Sequence, residues 1–200
     1  MNKADQAAKR LMATAYHEAG HAVVGQQLEL EVISVSVVAT DDCAGVVRHK
    51  DPKWFDLNTL QSGVEPRAHD RIERHIQALF AGHLAETDHT GRRNHIGAGG
   101  DEEKSWIWAM IACGDSSKEA DAFLKWLKQR AANRLKTRNC KIQVEAVARE
   151  LQIRKVMTSV ELRQVMSESI MAANEAEANA REDKAREGKA REDKGHDPRQ

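Results

Sequence analysis

Only three cysteines, Cys43, Cys113 and Cys140, occur in the 200 residues, and no two have the close spacing of a ligand pair. So sparse and odd a set excludes a disulfide framework and suits a reducing compartment, so the expectation is a cytoplasmic protein. Aromatic residues make up 4% of the chain, with a single Tyr, which excludes a base-stacking platform for single-stranded nucleic acid. An excess of charge of either sign is missing too. The 31 basic side chains meet 31 acidic ones, so no bulk field draws the chain to nucleic acid or to an anionic membrane. No apolar run approaches the roughly 18 residues of a spanning helix, and none follows the N-terminal charges as in an export leader. These absences predict no nucleic-acid partner and no membrane anchor, in a chain long enough for one domain with a real core.

What is present is mostly helical periodicity. From Ala4 to about Leu28, residues Leu11, Met12, Ala15, Ala19, Ala22 and Val23 fall three or four apart, the stripe of a helix with one buried face. Glu31 to Val38 then alternates β-branched and polar residues, Asp41 to Gly45 reads as a turn, and Val46-Val47-Arg48 returns as a strand, in a hairpin ending near Pro52. Residues 53–66 read as a loop closed by Pro66, which suits a first helical turn. A second helix is expected from Arg67 to about Glu86, then a Gly- and His-rich loop from Thr87 to Gly100. A third helix opens at Asp101-Glu102-Glu103, where acids complement a helix N-terminus, and stops near Gly114.

Ser116 to about Lys136, and a shorter segment through Ile142 and Leu151, supply two more helices. The last begins at Thr158, whose spacing to Glu161 is that of a capping box. Beyond Ala173 apolar residues vanish, and Ala-Arg-Glu-Asp-Lys units recur from Ala180, a near-neutral polyampholyte that is either a solvated helix or disordered. The predicted architecture is mainly α with a small β-hairpin or short three-stranded sheet. It comprises a domain over residues 1–173 and a charged low-complexity tail over 174–200.

The chemistry centres on His17-Glu18-Ala19-Gly20-His21, an H-E-x-x-H sequence inside the first helix, which would make that helix zincin-like. Residues i and i+4 share a helix face, so both imidazoles can reach one metal, while Glu18, about 100° further round, can address a water beside it. One zinc ion suits two neutral nitrogens and an oxygen, and the implied reaction is amide hydrolysis with Glu18 as general base. A third ligand is needed, and Glu86, Asp88, His89, His95, Asp101 and Glu102 all qualify chemically. Asp101 is attractive because the glycines of Gly97-Ala98-Gly99-Gly100 permit close backbone approach and a helix N-terminus stabilises a carboxylate; it is equally suited to be a plain helix cap. His69, His75, His83, His89 and His95 form no second H-x-x-x-H pair, and Trp106 and Trp108 read as helix-packing residues.

Tyr16-His17-Glu18-Ala19-Gly20-His21-Ala22 resembles the zinc signature of the peptidase domain of FtsH-type AAA proteases. The likeness continues, in order, through three further segments. Ile76 to Glu86 resembles that family's leucine-rich helix ending in Gly-Gly-Arg-x-Ala-Glu-Glu. Ile96-Gly97-Ala98-Gly99-Gly100-Asp101 resembles its Thr-Gly-Ala-Ser-Asn-Asp, and Val156 to Leu162 resembles the segment opening its last helix. The resemblance implies that Asp101 completes the ligand set with His17 and His21, that Glu18 is the catalytic base and that Glu86 orients a ligand imidazole. It also implies that Val46, Val47 and Arg48 form an edge to which an extended substrate adds. His83 stands where the family has arginine, and no G-x-x-x-x-G-K-[ST] occurs in these residues.

The expectation is therefore a zinc metalloendopeptidase acting on unfolded or extended protein segments without an ATPase in cis. The family's hexameric assembly, or a separate ATPase, supplies the expected partners. The competing expectation is a zinc-stabilised peptide-binding or regulatory module with little turnover.

Overall fold

In the computed structural model the described residues are 2–40, 43–53, 55, 65–92 and 94–195, with side chains at 95–98, 183, 185–190 and 191–195 left aside. Helix α1, Lys3–Gln27, opens at Asn2, whose side chain accepts a hydrogen bond from the Asp5 amide at 2.8 Å, an ordinary N-cap. Its buried stretch runs from Ala15 to Gly25 and includes the small residues Ala15, Ala19, Gly20 and Ala22, which let neighbouring elements come close. A sheet follows, with β1 at Glu31–Ser36 and β2 at Val46–Lys50. The two pair antiparallel from Glu31↔Lys50 to Ser36↔Val46, with an irregularity between Val32 and Ser34. The predicted hairpin is thus present, with β2 two residues longer than expected. Of the predicted turn, Asp41 and Asp42 lie outside the described residues, as does most of the predicted loop over 53–66.

Helix α2, Pro66–Thr90, has proline in its first turn as expected but runs four residues past the predicted end. Polar residues that read as loop continue the helix, and within it Thr87 and Thr90 satisfy their hydroxyls on the carbonyls of His83 and Glu86. The stop is Gly91, which adopts φ +69, a left-handed conformation that glycine accepts without steric cost. Helix α3 spans His95–Ala112, so most of the predicted Thr87–Gly100 loop is helical and Asp101 stands nearly two turns inside a helix, not at its N-terminus. At Gly99 and Gly100 the expected close backbone approach is also absent, since a Cβ on either would meet nothing within 4 Å. Glycine costs a helix roughly 1 kcal/mol per residue relative to alanine, a local penalty that tertiary packing overrides here.

Helices α4, Ser117–Leu135, and α5, Arg138–Arg154, match expectation closely. Strand β3, Val156–Thr158, then pairs antiparallel with β1 through Val35↔Met157, so β1 is central and the order is β2-β1-β3. Thr158 and Glu161 form the predicted capping box, the Glu161 carboxylate accepting from the Thr158 amide at 2.8 Å. Helix α6 runs Ser159–Gly195, so the charged repeats continue a helix, the first of the two predicted states. Its buried side chains are Leu162 and Met166, and Arg138 of α5 donates to Glu177 at 2.8 Å and to Asn174 at 3.1 Å. The last five residues lie outside the described set.

Two apolar clusters organise the whole. One joins α1, the sheet, α5 and α6 through Val23, Val35, Leu151, Met157 and Leu162; the other joins α2, α3 and α4 through Ile72, Ile76, Phe80, Ala109 and Leu127. The chain is therefore mainly helical, with six helices among the described residues and a small three-stranded antiparallel sheet. No described helix is long and apolar enough to cross a membrane.

Candidate metal centre

The centre forms where α1 crosses α2 and meets α3. His17 and His21, one helical turn apart on α1, face the same way, with ring centroids 4.6 Å apart and planes near perpendicular. Their Nε2 atoms lie 3.2 and 3.1 Å from one oxygen, Oδ2 of Asp101 on α3. One ligand atom from each of the three residues falls within 4.8 Å of the others. Tetrahedral coordination at about 2.0–2.1 Å sets neighbouring ligand atoms roughly 3.3 Å apart, close to the two imidazole–carboxylate separations, so the group could hold a metal ion.

The far side of each ring is also engaged. His17 Nδ1 donates to Glu86 Oε2 at 2.9 Å, and His21 Nδ1 donates to the Ala78 carbonyl at 2.8 Å. With Nδ1 held as the donor on the far side, each ring leaves Nε2 as the atom that would face an ion, the tautomer a metal requires. Glu86 is held in turn: Asn94, just before α3, donates its amide to Oε1 at 3.1 Å.

Glycine makes room at two places. A Cβ on Gly82 of α2 would lie 2.2 Å from His21 Nε2, so the imidazole occupies space that any other residue would fill. On the opposite side, a Cβ on Gly45 would lie 2.7 Å from Glu18 Oε1. The Glu18 carboxylate is buried against the backbone that leads directly into β2.

The charges of the cluster are strongly coupled. Burial works against a charge on His17, but its hydrogen bonds to Asp101 and Glu86 and the nearby Glu18 raise its pKa to about 10. Burial likewise opposes ionisation of Asp101, yet the two imidazoles hold its carboxyl well below the usual range; Glu86 is lowered similarly, by His17 and Asn94. Glu18 moves the other way, raised chiefly by burial and further by Asp101 and Glu86, against the pull of both histidines. Three carboxylates thus surround two imidazoles, and protonation of the imidazoles or a divalent ion could each balance part of that negative charge.

Among the candidate third ligands with described side chains, Asp101 is the one whose carboxylate oxygen lies between the two Nε2 atoms. Glu86 meets the Nδ1 side of His17, away from the converging nitrogens. His89 stacks on Tyr16 at 3.7 Å on another face, and Asp88 lines the same shallow cavity there. Glu102 pairs with Lys128 at 3.6 Å. The side chain of His95 lies outside the described set. Val46, Val47 and Arg48 are on β2, the outer strand, with Val47 turned toward the first apolar cluster and Arg48 exposed. The far end of β2 is clamped to α2, where Asp51 accepts from Arg71 at 2.9 Å and from His75 at 2.7 Å. Trp108 packs edge-on against His75 at 4.5 Å, the helix-packing role expected of it, whereas Trp106 is half-exposed.

Sequence reasoning did not single out Gly82, Gly45 or Asn94. A glycine inside a helical pattern asks for a packing reason, which was the available signal for Gly82; a lone asparagine in a polar stretch carries none. No family model and no curated protein matches this chain.

Proposed function

We propose that the chain is a zinc-dependent metalloendopeptidase of FtsH type, hydrolysing peptide bonds in unfolded or extended protein segments. The observation that carries the reading is the convergence of His17 Nε2, His21 Nε2 and Asp101 Oδ2 beside the buried carboxylate of Glu18. On this reading α1 is a zincin-like helix, and those three residues hold the ion. When bound, zinc supplies Lewis acidity that polarises the scissile carbonyl and makes water more acidic. Glu18 accepts the proton of the attacking water and delivers it to the amide nitrogen as the C–N bond breaks, so the amine leaves neutral. Its raised pKa suits both halves of that transfer. Glu86 keeps the His17 ring in its Nδ1–H form. An extended segment adding to the outer edge of β2 is led past Gly45, whose backbone touches Glu18.

Hydrolysis of an unstructured protein such as casein tests the reading. The Glu18→Gln variant should retain zinc and lose on the order of 10²–10⁴ in turnover. Activity unchanged in that variant, or indifferent to chelators, overturns the proposal. Tight peptide binding without turnover in the parent chain would favour the binding-module alternative.

A further inference from the structure

The carboxylate of Glu86 has two oxygens with two different duties. Oε2 receives the Nδ1 proton of His17, and Oε1 receives the side-chain amide of Asn94 at 3.1 Å. A carboxylate held at one oxygen only can rotate about its terminal bond and tilt away from the imidazole plane; held at both, it keeps one orientation. Asn94 is also the residue immediately before α3, the helix that carries Asp101. Its contact with Glu86 therefore joins the α1–α2 part of the centre to the start of the element bearing the third ligand. Asn94 is itself exposed, so replacing it removes a hydrogen bond without opening the core.

We propose that Asn94 is a positioning residue of the metal centre, acting through Glu86 to set the orientation of the His17 ring. The inference deepens the metallopeptidase reading and rests on it for the presence of zinc, but it is tested by metal binding rather than by hydrolysis. Partners that orient ligating histidines typically contribute 10- to 100-fold to metal affinity. Asn94→Asp keeps the shape, removes the donor and sets a like charge against Glu86; Asn94→Ala removes the whole side-chain amide without adding charge.

The experiment titrates zinc into the full chain against a chromogenic chelator and records the visible spectrum of the cobalt(II) form. It compares the parent, Asn94→Asp, Asn94→Ala, Glu86→Ala and the double variant Asn94→Asp/Glu86→Ala. Asn94→Asp should weaken zinc binding roughly 10- to 100-fold, with Asn94→Ala between it and the parent, and the cobalt bands should shift. In the Glu86→Ala background the further change from Asn94→Asp should be less than about twofold, because there is no carboxylate left to act through.

An Asn94→Asp chain with the parent's affinity and cobalt spectrum overturns the proposal. So does an equal loss in both backgrounds, which would mark a merely structural role. A parent that binds no zinc overturns the metallopeptidase reading together with this one. A parent that binds zinc but cleaves nothing overturns only the former, and the Asn94 assignment is then decided by the same titration.

Discussion

Helices α1 and α3 both carry groups of the candidate centre, yet they are held differently. His17 and His21 of α1 sit in an almost unbroken buried stretch, Ala15 to Gly25, packed against α2 on one side and against the sheet and α5 on the other. Each ring is pinned from behind, His17 by Glu86 and His21 by the Ala78 carbonyl. Among the described side chains of α3, only Ser105 and Ala109 are fully buried, while Trp106 and Ile107 on the same helix face solvent. The two proposed histidine ligands and the proposed base thus belong to the buried stretch of α1, and the third proposed ligand is delivered by a thinly anchored helix. Such a centre has a preformed half and a half that a bound ion would complete.

The contrast can be attacked most strongly by taking zinc away. At free zinc about 100 times its dissociation constant, the bound ion stabilises the native state by about 2.7 kcal/mol. Chelation should therefore speed amide hydrogen exchange through α3 by up to roughly 100-fold. Residues 15–24 of α1 should change far less, and an equal change in both helices would dissolve the distinction. A smaller effect tests the preformed half from within. Gly82→Ala forces a methyl into the space of the His21 ring, so overpacking should cost about 1–3 kcal/mol, offset by up to about 1 kcal/mol of helix propensity. Urea midpoints together with zinc titration would measure both consequences, and parent-like zinc binding in this variant would show that the α1 half yields more readily than its packing implies.

The smallest effect concerns the clamp between β2 and α2. Burial acts to raise the Asp51 pKa, but His75 and Arg71 outweigh it and lower the carboxyl from 3.8 to about 2. A carboxyl lowered on folding contributes stability that is complete above the unfolded value and disappears as pH falls through the folded one. The clamp should therefore hold at pH 6 and weaken between about pH 4 and pH 2. In metal-free protein, the drop in urea midpoint from pH 6 to pH 2.5 should be modestly smaller for Asp51→Asn than for the parent. An identical drop would remove Asp51 from the well-anchored side of the comparison.

What could be read from the residues divides along the same line. The first helix, its H-E-x-x-H face and the capping box at Thr158 are local patterns, written in spacings of three and four, and all were legible. The start of α3 was not, because glycines and polar residues lower local helix propensity while tertiary contacts decide the outcome. Asp101 was one of six chemical candidates until the resemblance favoured it, since a carboxylate 84 positions from His17 in sequence carries no spacing rule. Gly82, Gly45 and the Ala78 carbonyl act by shape or through the backbone. Their roles emerge only when two elements meet, and no side-chain chemistry announces them.

Strand β3 has a consequence for when the molecule becomes whole. Met157 pairs with Val35 and lies in the same apolar cluster as Ala19 and Val23 of α1. The helix bearing the H-E-x-x-H residues therefore cannot finish its surroundings until some 130 further residues, from Gln27 to Met157, have left the ribosome, roughly 6.5–26 s at ordinary synthesis rates. Contacts so distant along the chain are slow to form and close late in folding. A nascent chain thus displays its histidines early but gains their full setting only after Met157 has emerged, a delay built into whatever chemistry they perform.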